Sequence, residues 1–238
     1  MPDPHSRFHP VSGAAPARRI EVDPERIVMW VNGFAERHGE LTWTSSERSV
    51  ALSAADGATA VLEPFGPGSS SGSDAESRSG RLDSLAGWAA PPTHLGLILV
   101  RRGGYAVGLG DGQALTAHKV GTRYVQSRTA AGGWSQQRFA RRRKNQADGL
   151  VGSVIEHARR VVLASPTDAL VVGGDKGLIR DVLADARLSS LVELPRRELY
   201  DLPDPKLVVL ERALRRARAV RIALTEPGAA VVESASHV

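Results

Sequence analysis

The 238-residue chain has no cysteine, which excludes disulfides, thiolate metal sites and a cysteine nucleophile. Lysine is nearly missing too. Only Lys119, Lys144, Lys176 and Lys206 occur, so 27 of the 31 basic residues are arginine. No apolar run is long enough to span a bilayer: Leu95 to Val100 and Ala169 to Val172 are of strand length. Met1 to Ala17 carries prolines, histidines and charges where a signal peptide would have an apolar core. A soluble protein without a membrane partner is expected, and the lack of thiols fits a cytoplasmic address. His94, His118 and His157 lack the spacing of metal ligands and read as surface or internally satisfied histidines, so no metal or cofactor is expected. Acidic residues are absent between Arg123 and Asp148, a stretch that holds seven cationic side chains.

What remains is ordinary globular material. Hydrophobic residues make up 42% of the chain and charged residues 24%, enough for one medium domain and a small one. The net charge is only +5. An arginine-rich composition is also what a GC-rich genome produces, so clustering carries more information than the total. Guanidinium forks grip phosphate with two hydrogen bonds and stack on bases.

Residues 1–18 read as a flexible tail. Asp23-Pro24 predicts a helix start with Asp23 as N-cap, and Ile27, Val28, Val31, Phe34 and Ala35 recur at helical spacing before a stop at Gly39. Strands are expected at Leu41 to Thr44, Arg48 to Ser53 and Ala58 to Leu62, with a hairpin at Asp56-Gly57. This gives a small αβββ domain over 19–65. The glycine- and serine-rich stretch 66–90 reads as a linker. Over 91–226 the pattern is β-β-β-loop-α-β-α-β-α-β, followed by a tail at 227–238. Its strands are Leu95 to Arg101, Tyr105 to Gly110, Ala114 to Val120, Ala169 to Val172, Leu191 to Leu194 and Val220 to Leu224. The helices run from Ser135 to Leu163, Leu178 to Ala186 and Pro205 to Ala219. The fold class is therefore α+β or α/β, a mixed sheet with packed helices.

Two glycine-rich turns have plain readings. Gly108 to Gly112 is a hairpin turn because no helix pattern follows it. Gly173 to Gly177 joins a strand to a helix, where an anion can bind, yet it lacks phosphate-loop spacing and reads as an ordinary turn. The arginines of the final helix, Arg212, Arg215, Arg216 and Arg218, read as a solvated or ribosome-facing surface.

Ala131 to Ala147 stands apart. Gly132 and Gly133 alone would merely lead into a helix capped by Ser135. That does not account for Gln136 and Gln137, or for Arg138, Arg141, Arg142, Arg143 and Lys144 directly after them. A solvated helix face normally mixes in acids for i,i+4 pairs. Here Arg123 and Arg128 extend the one-sign patch upstream, and nucleic acid is the natural counter-charge. Tyr124 and Trp134 flank the loop, where they either stack on bases or pack into the domain. The apolar helical seam projected backwards meets Arg143 and then Phe139, so either Arg143 snorkels or the first turns project beyond the core with the arginines, and projection is expected.

The string Gly-Gly-x-Ser-x-x-Arg-Phe-Ala-Arg-x-Arg resembles the catalytic loop of the middle domain of eukaryotic and archaeal class-I peptide release factors. Those factors have Gly-Gly-Gln, whereas Trp134 stands in the glutamine position here. The Gly-x-x-Gln signature of Vms-like release factors fits instead, as Gly133-Trp134-Ser135-Gln136. The chain thus resembles the actinobacterial Vms-like peptidyl-tRNA hydrolases over roughly Leu95 to Leu224. That resemblance implies an RNase H-like, release-factor middle-domain fold. It also implies peptidyl-tRNA as substrate, with the large ribosomal subunit and its rRNA as partners in ribosome rescue and quality control. Gln136, with Gln137 as neighbouring alternative, would position water at the ester, and the backbone at Gly132 and Gly133 would donate hydrogen bonds. Arg128, Arg138, Arg141, Arg142, Arg143 and Lys144 would hold phosphates. Two further readings stay open: an endonuclease that removes the tRNA 3′ end with the peptide attached, and a non-catalytic RNA-binding module.

Overall fold

The computed structural model describes residues 18–46, 48–66, 84–122 and 135–227; of the side chains between Ser135 and Lys144 it describes only that of Arg141. The chain forms two compact units. One comprises the residues up to Ala89 together with those from Val220 onward, and the other runs from Ala90 to Ala219, so the second unit is inserted into the first.

In the first unit, β1 (Arg18–Val22) is followed by a 3-10 turn at Pro24–Arg26 and helix α1 (Ile27–His38). Three strands follow, β2 (Leu41–Ser45), β3 (Val50–Ala54) and β4 (Thr59–Glu63). The last strand of the chain, β10 (Val220–Thr225), enters this sheet between β1 and β4, and the order is β1-β10-β4-β3-β2, antiparallel throughout. Ile27, Val31 and Phe34 of α1 pack with Leu52, Ala60, Leu62, Val220 and Ile222, all fully or almost fully buried. Gly39 ends α1 at φ 92°, a conformation that favours glycine.

Several expectations are corrected here. The αβββ unit gains two strands. β1 begins at Arg18, the last residue of the expected tail, and carries no strand pattern because Arg18, Arg19 and Glu21 dominate it; β10, expected in the inserted domain whose last helix it follows, belongs to this sheet. The stretch read as linker ends in a helical turn at 84–88, where Leu85, Trp88 and Ala89 are buried in the first unit's core; residues 67–83 lie outside the described residues. Asp23 makes no side-chain cap.

The second unit holds the mixed sheet. β5 (His94–Arg101), β6 (Gly104–Asp111) and β7 (Ala114–Thr122) form an antiparallel meander. β8 (Ala169–Gly174) and β9 (Arg196–Leu199) extend it in parallel on the far side of β5, giving the order β7-β6-β5-β8-β9 of an RNase H-like sheet. The long helix α2 (Ser135–Val161), α3 (Lys176–Leu183) and the short α4 (Ser189–Val192) build a core with the sheet that includes Leu150, Val154, Ala158, Ile98 and Leu170. Helix α5 (Leu207–Arg218) lies against β6, where Gly108 and Gly110 make room for Leu210 and Leu214. A Cβ on Gly110 would stand 2.6 Å from Leu214 Cδ1.

The strand expected at Leu191 to Leu194 is a helix instead, and the strand comes later, at Arg196–Leu199. Its pattern hides because one inward residue is an arginine. Arg197 is only 6% exposed, and its guanidinium donates to the carbonyls of Ala217 (2.9 Å) and Ala219 (2.5 Å). These are orphan acceptors at the C-terminal end of α5, just before the chain crosses back to the first unit. Replacing Arg197 by leucine strands those carbonyls, and the expected loss is about 2–4 kcal/mol of stability, read as a lowered midpoint in chemical denaturation.

Candidate functional site

The loop expected to do chemistry leaves the sheet at the end of β7. Its root is rigid. Tyr105 on β6 faces Gly121 on β7, and a Cβ at Gly121 would lie 2.4 Å from the tyrosine ring, so only glycine lets the ring lie there. His157 of α2 stacks on the same ring at 5.5 Å between centroids, with 20° between planes. Burial, aided by the nearby charges of Lys119 and Arg160, holds the pKa of His157 below its usual value, so at neutral pH it is a neutral ring. The stack joins β6 to α2 beside Gly121 of β7, and no local sequence pattern reveals it.

Residues 123–134 lie outside the described residues. Arg123, Tyr124, Arg128, Gly132, Gly133 and Trp134 fall there. The described chain resumes in α2 at Ser135, and its capping lies outside the described residues. Gln136, Gln137, Arg138, Arg142, Arg143 and Lys144 occupy the first three turns, with side chains outside the description, and the course of Arg143 stays there too. Arg141 is exposed. Among the described residues, Ala147 is the first of the helix to pack against the core, and Leu150 the first to be fully buried. The twelve helical residues before Ala147 are about 18 Å long at 1.5 Å per residue.

Electrostatics make this stretch unusual. A helix N-terminus carries roughly half a positive charge, so acids stabilise its first turns and cations do not. The first turn of α2 has no acid, and five cations follow within it. The helix is therefore built against its own dipole, and what offsets the field must come from outside the local sequence. The N–H groups of Ser135 to Gln137, at the start of the helix, have no acceptor within the helix itself. Gln136 thus lies in the first turn of a helix start rich in cations.

The other candidates have structural partners. At the βα turn, Gly174 adopts φ 99°, and a Cβ there would strike the Val100 carbonyl, so the position calls for glycine on both counts. The N-terminus of α3 is already occupied: the Asp175 carboxylate accepts from the N–H groups of Gly177 (2.9 Å) and Leu178 (3.2 Å), which leaves no place for an anion. His94 pairs with Asp168 at 3.0 Å, and the same carboxylate accepts from the His94 backbone N–H, clasping the starts of β5 and β8. That backbone hydrogen bond, more than the imidazole, lowers the pKa of Asp168. His118 is exposed on β7. No group of three or more His, Asp or Glu among the described residues is arranged to hold a metal. On α5, Arg212 and Arg215 are exposed, while Arg216 is paired with Asp201 at 2.9 Å. No described helix is long and apolar enough to cross a membrane.

Residues 93–223, more than half of the chain, match the family described as Actinobacteria/chloroflexi VLRF1 release factor. The chain belongs to the VLRF1 release-factor family. The match begins beside His94, the first residue of β5, and takes in the whole loop and α2, so every candidate residue lies within the VLRF1 segment. A search of curated proteins finds no match. Among solved structures, the "Vms1 mitochondrial localization core" is similar with 10% identity, a TM-score of 0.43, and coverage of 78% of this chain and 92% of that one. An archaeal translation termination factor, aRF1, is similar with 15% identity and a TM-score of 0.36; the alignment covers 86% of this chain and 66% of that one, just under two thirds of its length.

Proposed function

We propose that this VLRF1 protein is a peptidyl-tRNA hydrolase that frees nascent chains from stalled ribosomes or large subunits. The observation that carries the reading is a Gly-x-x-Gln loop opening a helix with five cations and no acid in its first turns, inside the VLRF1 segment. The reaction adds water across the ester between the peptide and the terminal ribose. It yields a free peptide carboxylate and a tRNA with both ribose hydroxyls.

Each requirement has a candidate. Water must be held at the carbonyl, and the amide of Gln136 is suited to orient it without acting as a base. The developing oxyanion needs donors, and the N–H groups at the start of α2, with the backbone at Gly132 and Gly133, are suited to supply them. The leaving ribose oxygen needs a proton, for which the substrate's own 2′-hydroxyl and the surrounding RNA are available. Arg123, Arg128, Arg138, Arg141, Arg142, Arg143 and Lys144 hold rRNA or tRNA phosphates, and Trp134 stacks on a base. This division of labour suits a chain whose loop region has no acid, thiol or clustered ligands of its own. The partners are then the large subunit, its rRNA and peptidyl-tRNA, in the cytoplasm, with no cofactor required.

The test is to incubate the protein with purified stalled complexes carrying a labelled nascent chain. Release that depends on the protein supports the reading, and salt-sensitive binding without turnover contradicts it. The cationic turns make a separate prediction. Arg141→Glu with Arg142→Glu is expected to weaken binding to large subunits at least tenfold. The double change should also reduce the slope of log affinity against log salt by about 2, roughly one for each lost phosphate contact. Filter binding across a salt series measures both.

A further inference from the structure

Helix α2 changes character along its length. From Leu150 onward it is held by Val154, Ile155 and Ala158, all buried, and Glu156 pairs along it with Arg160 at 2.9 Å and Arg159 at 3.5 Å. Before Ala147 the sequence brings like charges together instead. Arg138 is three residues from Arg141 and four from Arg142, and Arg141 is three from Lys144, spacings at which like charges weaken a helix. The changeover falls on Gly149–Leu150–Val151–Gly152–Ser153, which holds both glycines of the 27-residue helix.

Nothing in the packing calls for glycine at 152. The residue is exposed, its φ is not positive, and a Cβ there would meet no heavy atom within 4 Å. Alanine would fit, and in a helix interior it holds the backbone far more firmly than glycine. Ser153 loosens the same turn. Its Oγ donates to the carbonyl of Gly149 at 2.9 Å, the oxygen that the Ser153 N–H addresses in the helical ladder. Such sharing bends helices, and glycine with serine is a recurrent site of kinks.

We infer that Gly149–Ser153 is a hinge in α2, and that Gly152 and Ser153 are positioning residues that let the cationic first turns swing Gln136 into place. The second half of this inference rests on the hydrolase reading above. Gln136 lies 16 residues before Gly152, about 24 Å along the axis. A bend of about 20° at the hinge therefore carries it sideways by about 8 Å. To orient water, the amide must come within about 2.6–3.2 Å of it. A straight rod rooted in the sheet is aimed by its root alone. With a hinge, the cations beyond it are drawn onto RNA phosphates, and those contacts aim the tip.

The chain has no native cysteine, so spin labels go only where cysteines are introduced. Arg141 before the hinge, Arg159 after it and Arg180 on α3 are exposed and belong to one unit. In the full chain, distances between labels are expected to spread about 5 Å more widely for R141C with R180C than for R159C with R180C. Gly152→Ala is expected to narrow the first distribution and leave the second unchanged, and adding Ser153→Ala narrows the first further. Equal spreads for the two pairs overturn the hinge. So does a spread that Gly152→Ala leaves as it was, which is the behaviour of fraying from the helix start.

The same variant tests the positioning role. On stalled complexes, Gly152→Ala is expected to slow single-turnover release about fivefold to tenfold, with binding to large subunits within a factor of about two. An unchanged release rate in a variant whose distances have narrowed overturns that role. If the wild-type protein releases no peptide, the hydrolase reading falls and the positioning role with it, while the hinge stands or falls by the distances.

Discussion

Gln136→Ala is expected to slow peptide release from stalled complexes by about a hundredfold to a thousandfold, the usual cost of removing one donor from a preorganised site. Binding to large subunits should stay within a factor of about two, because the contacts assigned to binding are cationic and remain in place. Gln137→Ala is the matched control. The two glutamines are adjacent on α2, and side chains one residue apart on a helix point about 100° apart, so only one of them can address a given atom. The Gly-x-x-Gln spacing selects Gln136. Single-turnover release with both variants separates them. Full activity in Gln136→Ala together with loss in Gln137→Ala would move the site by one residue, and full activity in both would remove it from this loop.

The second large effect concerns the chain's end. Truncation after Ala219 should unfold the first unit while leaving the second folded. β10 is a central strand, hydrogen-bonded to β1 on one side and to β4 on the other. Its loss orphans both ladders and removes Val220, Ile222 and Leu224 from the core, at about 1.5–3 kcal/mol for each buried side chain. That sum is comparable to the whole stability of a small domain. The core of the second unit, built on β5, β8 and α2, includes none of those residues. Hydrogen exchange should show α1 and β3 exchanging fast in the truncated chain, with β5 and β8 still protected. Retained protection in β3 would contradict the assignment of β10 as essential to that sheet.

What was legible in the sequence follows from the range of the interactions that fix each element. β5, β6 and β7 could be read because their turns, at Arg102-Gly103 and Gly112-Gln113, are local and strongly marked. The seam of α2 from Ala147 to Val161 is likewise a one-dimensional pattern. β9 could not be read, since its inward Arg197 is buried only because the distant end of α5 supplies carbonyls. Strand character in β10 was clear, but its sheet was not: alternation names a face and never a partner. The helical turn at 84–88 was masked by the glycine and serine around it, although Leu85, Trp88 and Ala89 have helical spacing. At the site, the acid-free run announced itself through composition. The Tyr105–His157 stack, which joins residues 52 positions apart, could not.

The central claim is that a neutral amide, carried on a cationic helix start, promotes hydrolysis of an ester inside RNA. Chemical identification of the tRNA terminus after reaction with purified ribosome–nascent-chain complexes tests it most directly. The account predicts a full-length tRNA with free 2′- and 3′-hydroxyls, together with a nascent chain ending in a carboxylate. A shortened tRNA, with its missing nucleotides still attached to the peptide, would contradict it.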